Sequence, residues 1–143
     1  MKLSVFGGTG FIGSKFLKLY PENLKIERNN LRPESENILY LISTVDNYNV
    51  FEDITKDVKV NLELFCKFLE NCKSEKITIN FISSWFVYGK VDKLPVDESN
   101  FCNPTGFYSI TKKCAEDLLI SYCNTFSINY RIIRLCNVLG KGD

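Results

Sequence analysis

Short apolar runs and helical apolar stripes alternate along this chain. Leu3-Ser4-Val5-Phe6 stops at Gly7-Gly8 and predicts a buried strand. From Phe11 to Tyr20 the apolar residues Phe11, Ile12, Phe16, Leu17 and Leu19 fall at helical spacing, and Pro21 ends the run. Leu24 to Arg28 predicts a second strand, and the polar residues 29–37, with Pro33, a loop. Ile38-Leu39-Tyr40-Leu41-Ile42 is almost continuously apolar, as a strand covered on both faces requires. From about Asp57 to Cys72, one helical stripe collects Val58, Leu62, Phe65, Leu69 and Cys72. Ile77 to Ile82 predicts another strand. The loop from Gly89 to Thr105 carries Pro95, Asp97, Glu98 and Pro104. A helix from about Phe107 to Asn124, a strand from Tyr130 to Leu135 and a tail from Gly140 to Asp143 complete the pattern.

Strands that alternate with helices, most of them apolar runs, predict an α/β fold with a parallel sheet. The chain shows no internal repeat, low-complexity segment or dividing linker, and its 143 residues make one domain. Charge changes the picture by exclusion. With 18 basic and 17 acidic residues, nothing in the balance favours a nucleic acid or an anionic membrane. No apolar run reaches membrane-spanning length, and the apolar stretch before Gly7 is too short for a signal peptide. The six cysteines include no C-x-x-C pair and read as reduced, mostly buried thiols of a cytoplasmic protein. Histidine is absent. That removes Ser-His-Asp and Cys-His nucleophile systems, histidine metal sites and a histidine base. Any chemistry falls to Tyr, Lys, Asp, Glu, Cys or a cofactor.

The segment Gly7-Gly8-Thr9-Gly10-Phe11-Ile12-Gly13 fits both G-x-G-x-x-G and G-x-x-G-x-x-G. It follows a predicted strand and opens a predicted helix, the context a dinucleotide fingerprint needs. Glycines let the backbone approach a pyrophosphate, and the helix N-terminus offers free N–H groups to it. About 20 residues on, an acidic side chain suits the ribose 2′-OH of NAD and an arginine the 2′-phosphate of NADP. Glu27 and Arg28 stand side by side there, so either cofactor remains open, as does a pair of solvated charges.

Tyr108 and Lys112 lie four residues apart on one predicted helix face. An ammonium beside a phenol is expected to lower the tyrosine pKa toward neutrality and fit it for proton transfer. An ordinary surface pair would look the same. Ser83-Ser84 follows the Ile77–Ile82 strand, where parallel sheets bind ligands, although serines also serve simple turns.

Taken in order, the glycine loop, Ser83-Ser84-Trp85-Phe86-Val87-Tyr88-Gly89, the Leu94-Pro95-x-x-Glu98 loop, Pro104 ahead of Tyr108-x-x-x-Lys112, and Arg134 to Gly140 form a set. The chain resembles the extended short-chain dehydrogenase/reductase family, in its NAD-dependent epimerase/dehydratase branch. The resemblance implies a Rossmann-like, doubly wound parallel sheet in three α/β/α layers. It implies Ser84, Tyr108 and Lys112 as the catalytic group, with Tyr108 transferring the proton and Lys112 also holding the nicotinamide ribose. Ser84 and Asn137 would contact substrate. Gly7, Gly10, Phe11, Ile12, Gly13, Glu27, Arg28, Ser43 and Thr44 would bind NAD or NADP. A nucleotide-activated sugar would be the substrate, and a homodimer through helices 57–72 and 107–124 is implied.

Three departures from the family pattern matter. Trp85-Phe86 replaces the Asp-Glu that dehydratases carry, which favours an epimerase or ketoreductase. Residues 27–38 leave no room for the usual βα unit after the second strand. Residues 1–143 correspond to the NAD(P)-binding domain, and the smaller C-terminal substrate domain and last sheet strands are expected to be absent. A catalytically inactive dinucleotide-binding module is therefore the alternative to an enzyme.

Overall fold

The computed structural model describes residues 2–73 and 76–140. Five parallel strands form one sheet: β1 (Leu3–Phe6), β2 (Leu24–Lys25), β3 (Asn37–Tyr40), β4 (Thr78–Ser84) and β5 (Asn129–Leu135). Their order across the sheet is β2-β1-β3-β4-β5. Register runs Phe6 opposite Tyr40, Tyr40 opposite Phe81, and Phe81 opposite Ile132. The helices are α1 (Phe11–Leu19), α2 (Lys56–Val58), α3 (Leu64–Leu69) and α4 (Phe107–Phe126). A π-helical stretch, Lys59–Glu63, joins α2 to α3.

The fold is the Rossmann-like α/β arrangement expected from the sequence. Chain order moves outward from β1 in one direction through β2 and in the other through β3, β4 and β5. Right-handed crossovers therefore put α1 on one face and α2, α3 and α4 on the other, which makes three layers. The sheet pleat agrees. Phe6 meets Phe68 of α3 at 4.8 Å, while Val5 points the opposite way and is fully buried. The core between sheet and α3 is aromatic. Tyr40 contacts Phe65 and Phe68 at 5.0 and 4.5 Å, and Phe65 contacts Phe81 at 4.9 Å.

No helix lies between β2 and β3, as the short spacing after Arg28 predicts. The connecting loop crosses the α3 side of β1 instead. There the Ser4 hydroxyl accepts the Glu34 N–H and bonds the Ser35 hydroxyl, both at 2.9 Å, and Leu31 packs on the core.

Four expectations need correction. The second strand is Leu24–Lys25, not Leu24 to Arg28: Ile26 N still donates to Val5 O, after which Asn30 N closes a turn on Glu27 O. The third strand stops at Tyr40, because beyond it the chain swings out toward the cavity described below. The helical stripe also changes phase. Asp57 and Asn61 are buried while Val58 is exposed, and the wide turn at Lys59–Glu63 separates that register from Phe65 and Leu69. Finally, only Cys72 and Cys123 are buried; Cys66, Cys114 and Cys136 are exposed, though all six thiols are free. The predicted tail beyond Gly140 lies outside the described residues. Among the described residues no helix is long and apolar enough to cross a membrane.

Candidate active site

The sheet's carboxyl-terminal edge holds a cavity of about 510 Å³. Its floor is the turn from β1 into α1. Gly7 has φ +83, a left-handed conformation that side chains disfavour. A Cβ on Gly13 would sit 2.3 Å from Gly7 O, so α1 can pack against β1 only with glycine there. Gly10 differs: its Cβ would meet nothing nearer than Gly7 O at 3.4 Å. Its bare backbone faces the cavity. Gly8 is spent on packing, with Leu17 and Lys25 each 2.7 Å from its Cβ position. Of the two overlapping patterns, Gly7, Gly10 and Gly13 therefore form the cavity floor.

The fold brings Phe11, Ile12, Ser43, Thr44, Ser84, Tyr108, Lys112 and Asn137 to that same cavity. It does not bring Glu27 and Arg28 there. Both are exposed beyond β2, and Glu27 pairs with Lys25 at 2.8 Å. Ser84 is the last residue of β4, not a loop residue. Its position follows from the strand's length: Ile79 and Phe81 enter the core, and Ser84 is carried to the carboxyl-terminal end, where the cavity opens.

Tyr108 is buried on the first turn of α4 and shares the cavity wall with Ser84 and Ser43. Burial raises its pKa above the ordinary tyrosine value, with the two serine hydroxyls opposing the rise. Lys112 is 2% exposed. Its Nζ donates to Ile82 O at 2.7 Å and lies 4.2 Å over the Phe81 ring. Burial pushes its pKa down to about 7, and Glu116 opposes that shift. The expected lowering of the Tyr108 pKa by Lys112 is thus not met in this state. The ammonium is engaged with a backbone carbonyl and an aromatic face, and desolvation governs both groups.

Two residues that the sequence reading missed support the site. Asn61 accepts from Ser43 Oγ and Thr44 N at 3.0 Å each, and donates to Thr44 Oγ1 and Thr111 Oγ1 at 2.8 and 2.9 Å. Asp57 accepts from Thr44 Oγ1 and, at 3.2 Å, from Asn49 Nδ2. This buried network ties the loop after β3 to α4. The available signal was an asparagine four residues before Phe65, inside an otherwise apolar stripe.

Trp85 stacks on Phe86 at 4.9 Å, and Phe86 meets Tyr108 edge-on at 6.2 Å. The Trp85 indole N–H donates to Asn137 Oδ1 at 3.4 Å. Trp85 also lines an adjoining cavity of about 990 Å³, together with Tyr88, Leu94, Pro95, Glu98 and Arg134. Arg134 is engaged elsewhere, donating to both carboxylate oxygens of buried Glu116 at 3.0 and 2.8 Å.

The glycine cavity suits a dinucleotide. Gly10 carries no side chain to obstruct a pyrophosphate, the first turn of α1 has no acidic residue, and its leading N–H groups are free of helical partners. In the wall, the Ser83 hydroxyl is buried with no partner among the described residues.

Comparison with known proteins agrees with this geometry. A model of the NAD dependent epimerase/dehydratase family matches residues 34–143. A putative UDP-glucose 4-epimerase of Methanocaldococcus jannaschii is 31% identical over 108 residues, 74% of this chain and 35% of that protein. RMD of Pseudomonas aeruginosa, solved with NADPH, superposes with TM-score 0.85 at 27% identity over 99% of this chain and 56% of the other. A Brucella ovis UDP-glucose 4-epimerase, solved with NAD, shares the fold with TM-score 0.84 at 23% identity, over 95% and 52% of the two chains. The chain thus spans about half of each of these solved relatives. This chain belongs to the NAD-dependent epimerase/dehydratase family.

Proposed function

We propose that this chain is the dinucleotide-binding part of an NAD(P)-dependent epimerase or ketoreductase that acts on a nucleotide-activated sugar. The observation that carries the reading is the meeting of Tyr108 and Ser84 in the cavity floored by Gly7, Gly10 and Gly13. The names of the relatives, with their nicotinamide cofactors and UDP-sugar activities, support the substrate class.

A nicotinamide dinucleotide bound in that cavity would exchange a hydride with the sugar carbon. Ser84 would hold the reacting oxygen by a hydrogen bond. Tyr108 would take the proton from that hydroxyl, or return it to the carbonyl. Lys112, turned from Ile82 O toward the ribose hydroxyls, would stabilise the phenolate electrostatically. Trp85 and Phe86 supply no acid or base, so this wall supports no water elimination. The remainder of the substrate would extend past Trp85 into the adjoining cavity, which Asn137 borders through its bond to the indole.

A second reading, a binding module without turnover, is favoured by the engagement of Lys112 with Ile82 O. Calorimetric titration with NAD and NADP, and UDP-glucose turnover of wild type and Tyr108→Phe, separate the two. The enzyme reading expects dinucleotide binding in both proteins and turnover only in wild type. Binding without turnover in either supports the module. Absence of binding to both dinucleotides overturns both readings. For assembly we propose a homodimer that covers Val58 of α2 with Ile110 and Leu118 of α4, which are exposed. Sedimentation showing only monomer at high concentration would reject it.

A further inference from the structure

Helix α4 carries Tyr108 in its first turn, yet its N-cap is Gly106, which has no side chain to cap with. An N-cap side chain ordinarily accepts from the N–H two or three residues into the helix. Here Ser109, the third helical residue, donates its N–H to Asn47 Oδ1 at 3.4 Å, across 62 residues of sequence. The Asn47 amide stands where a cap side chain would be: a Cβ on Gly106 would lie 2.0 Å from Asn47 Oδ1 and 2.4 Å from its Cγ. The reciprocal half of the capping box is local, with Gly106 N donating to Ser109 Oγ at 3.0 Å.

Asn47 sits on the loop that also bears Ser43 and Thr44. That loop is fastened to α4 a second time, through Asn61 to Thr111. Tyr108 immediately precedes Ser109, the first attachment point, and lies one turn before Thr111, the second; Ser43 from the same loop lines the cavity beside it. We propose that Asn47 is a positioning residue for Tyr108, supplying the N-cap of α4 from the cavity loop and so fixing the phenol against Ser43. Gly106 is the complement of that arrangement, since any side chain there would displace the amide.

The test uses the full chain labelled with ¹³Cζ-tyrosine and needs no dinucleotide, so its result is separate from that of the cofactor titration. Three variants are compared with wild type: Asn47→Ala, Asn47→Asp and Asn47→Ala/Gly106→Ser. In Asn47→Ala the Ser109 amide should exchange about tenfold faster. Its Tyr108 titration should move down toward the ordinary tyrosine value as water reaches the phenol. Asn47→Asp keeps an acceptor at the same place and should retain wild-type Ser109 protection, while its added carboxylate, like that of Asp46, should move the Tyr108 titration up rather than down. The double variant restores a cap within the helix but leaves the loop unhooked. It should recover Ser109 protection while the Tyr108 titration stays displaced. An unmoved Tyr108 titration in Asn47→Ala overturns the proposal. So does its recovery in the double variant, which would reduce Asn47 to helix stability alone. If Asn47→Ala does not fold, the double variant and Asn47→Asp still decide between these outcomes.

Discussion

Lys112 lies one helical turn after Tyr108, but its amine donates to the carbonyl of Ile82 rather than to the phenol, at 2.7 Å. The strand end and the helix are thereby joined by a group that prefers water. Its pKa falls from the ordinary lysine value to about 7 because the charged form is desolvated.

That shift has a defined pH consequence. Between about pH 7 and the ordinary lysine value of 10.5, the unfolded chain holds this proton and the folded chain releases it. The stability penalty of burying Lys112 is therefore full below pH 7 and fades as pH rises toward 10.5. At about 1.4 kcal/mol per unit, it changes by about 5 kcal/mol across that window. Lys112→Met should raise the melting temperature over wild type much more at pH 6.5 than at pH 10. An equal difference at the two pH values would show that the amine carries no such penalty.

Gly10→Ala and Gly13→Ala should separate ligand approach from folding. The Gly13 Cβ would enter backbone at 2.3 Å, and relief of that overlap should destabilise the protein by about 3 kcal/mol or more in urea unfolding. Gly10 has room for a methyl and ordinary helical-start dihedrals, so Gly10→Ala should melt within about 1 kcal/mol of wild type. Its dinucleotide affinity should nonetheless drop about tenfold or more, because the methyl enters the space of the pyrophosphate. Undiminished affinity in Gly10→Ala would place the phosphates elsewhere.

Glu116 is 1% exposed and its partner Arg134 stacks 4.8 Å over Tyr88. Removing Glu116 leaves the partly buried Arg134 charge without its carboxylate. Glu116→Ala should destabilise the chain by about 2–3 kcal/mol, whereas Glu116→Leu/Arg134→Met should lose far less. Denaturant midpoints test this, and equal losses in the single and double variants would refute an ion-pair role.

Asn61 serves four polar groups at once. Asn61→Leu preserves volume but strands the Ser43, Thr44 and Thr111 groups, and should lower stability by about 2–4 kcal/mol. Loss of less than about 0.5 kcal/mol in urea unfolding would mean that water replaces the amide.

Much of this architecture was legible in advance, for identifiable reasons. β1, β3 and β4 are buried on at least one face through their length, so apolar runs marked them. α4 extends over 20 residues with a buried face containing Ala115, Leu119 and Cys123, long enough for periodicity to find. The weak points were short or polar. β2 pairs through only two residues, and a run of five suggested more. Asp57 and Asn61 stood outside the apolar stripe, since a polar side chain inside a helix announces its burial only through partners that are distant in sequence.

The sequence by itself determined the local chemistry: the order of strands and helices, the glycines that permit a tight strand-to-helix turn, and the i, i+4 spacing of Tyr108 and Lys112. These depend on neighbours within a few residues, and short-range sterics and periodicity suffice to read them. Tertiary structure decided which partner each group has. It gave Lys112 to Ile82 O, left Glu27 and Arg28 outside the cavity, placed Asn61 at the centre of a buried network, and let Asn47 cap a helix that begins 60 residues later. Those outcomes depend on which side chains the crossovers bring within hydrogen-bond distance and on how much water each loses there, and no local pattern encodes either.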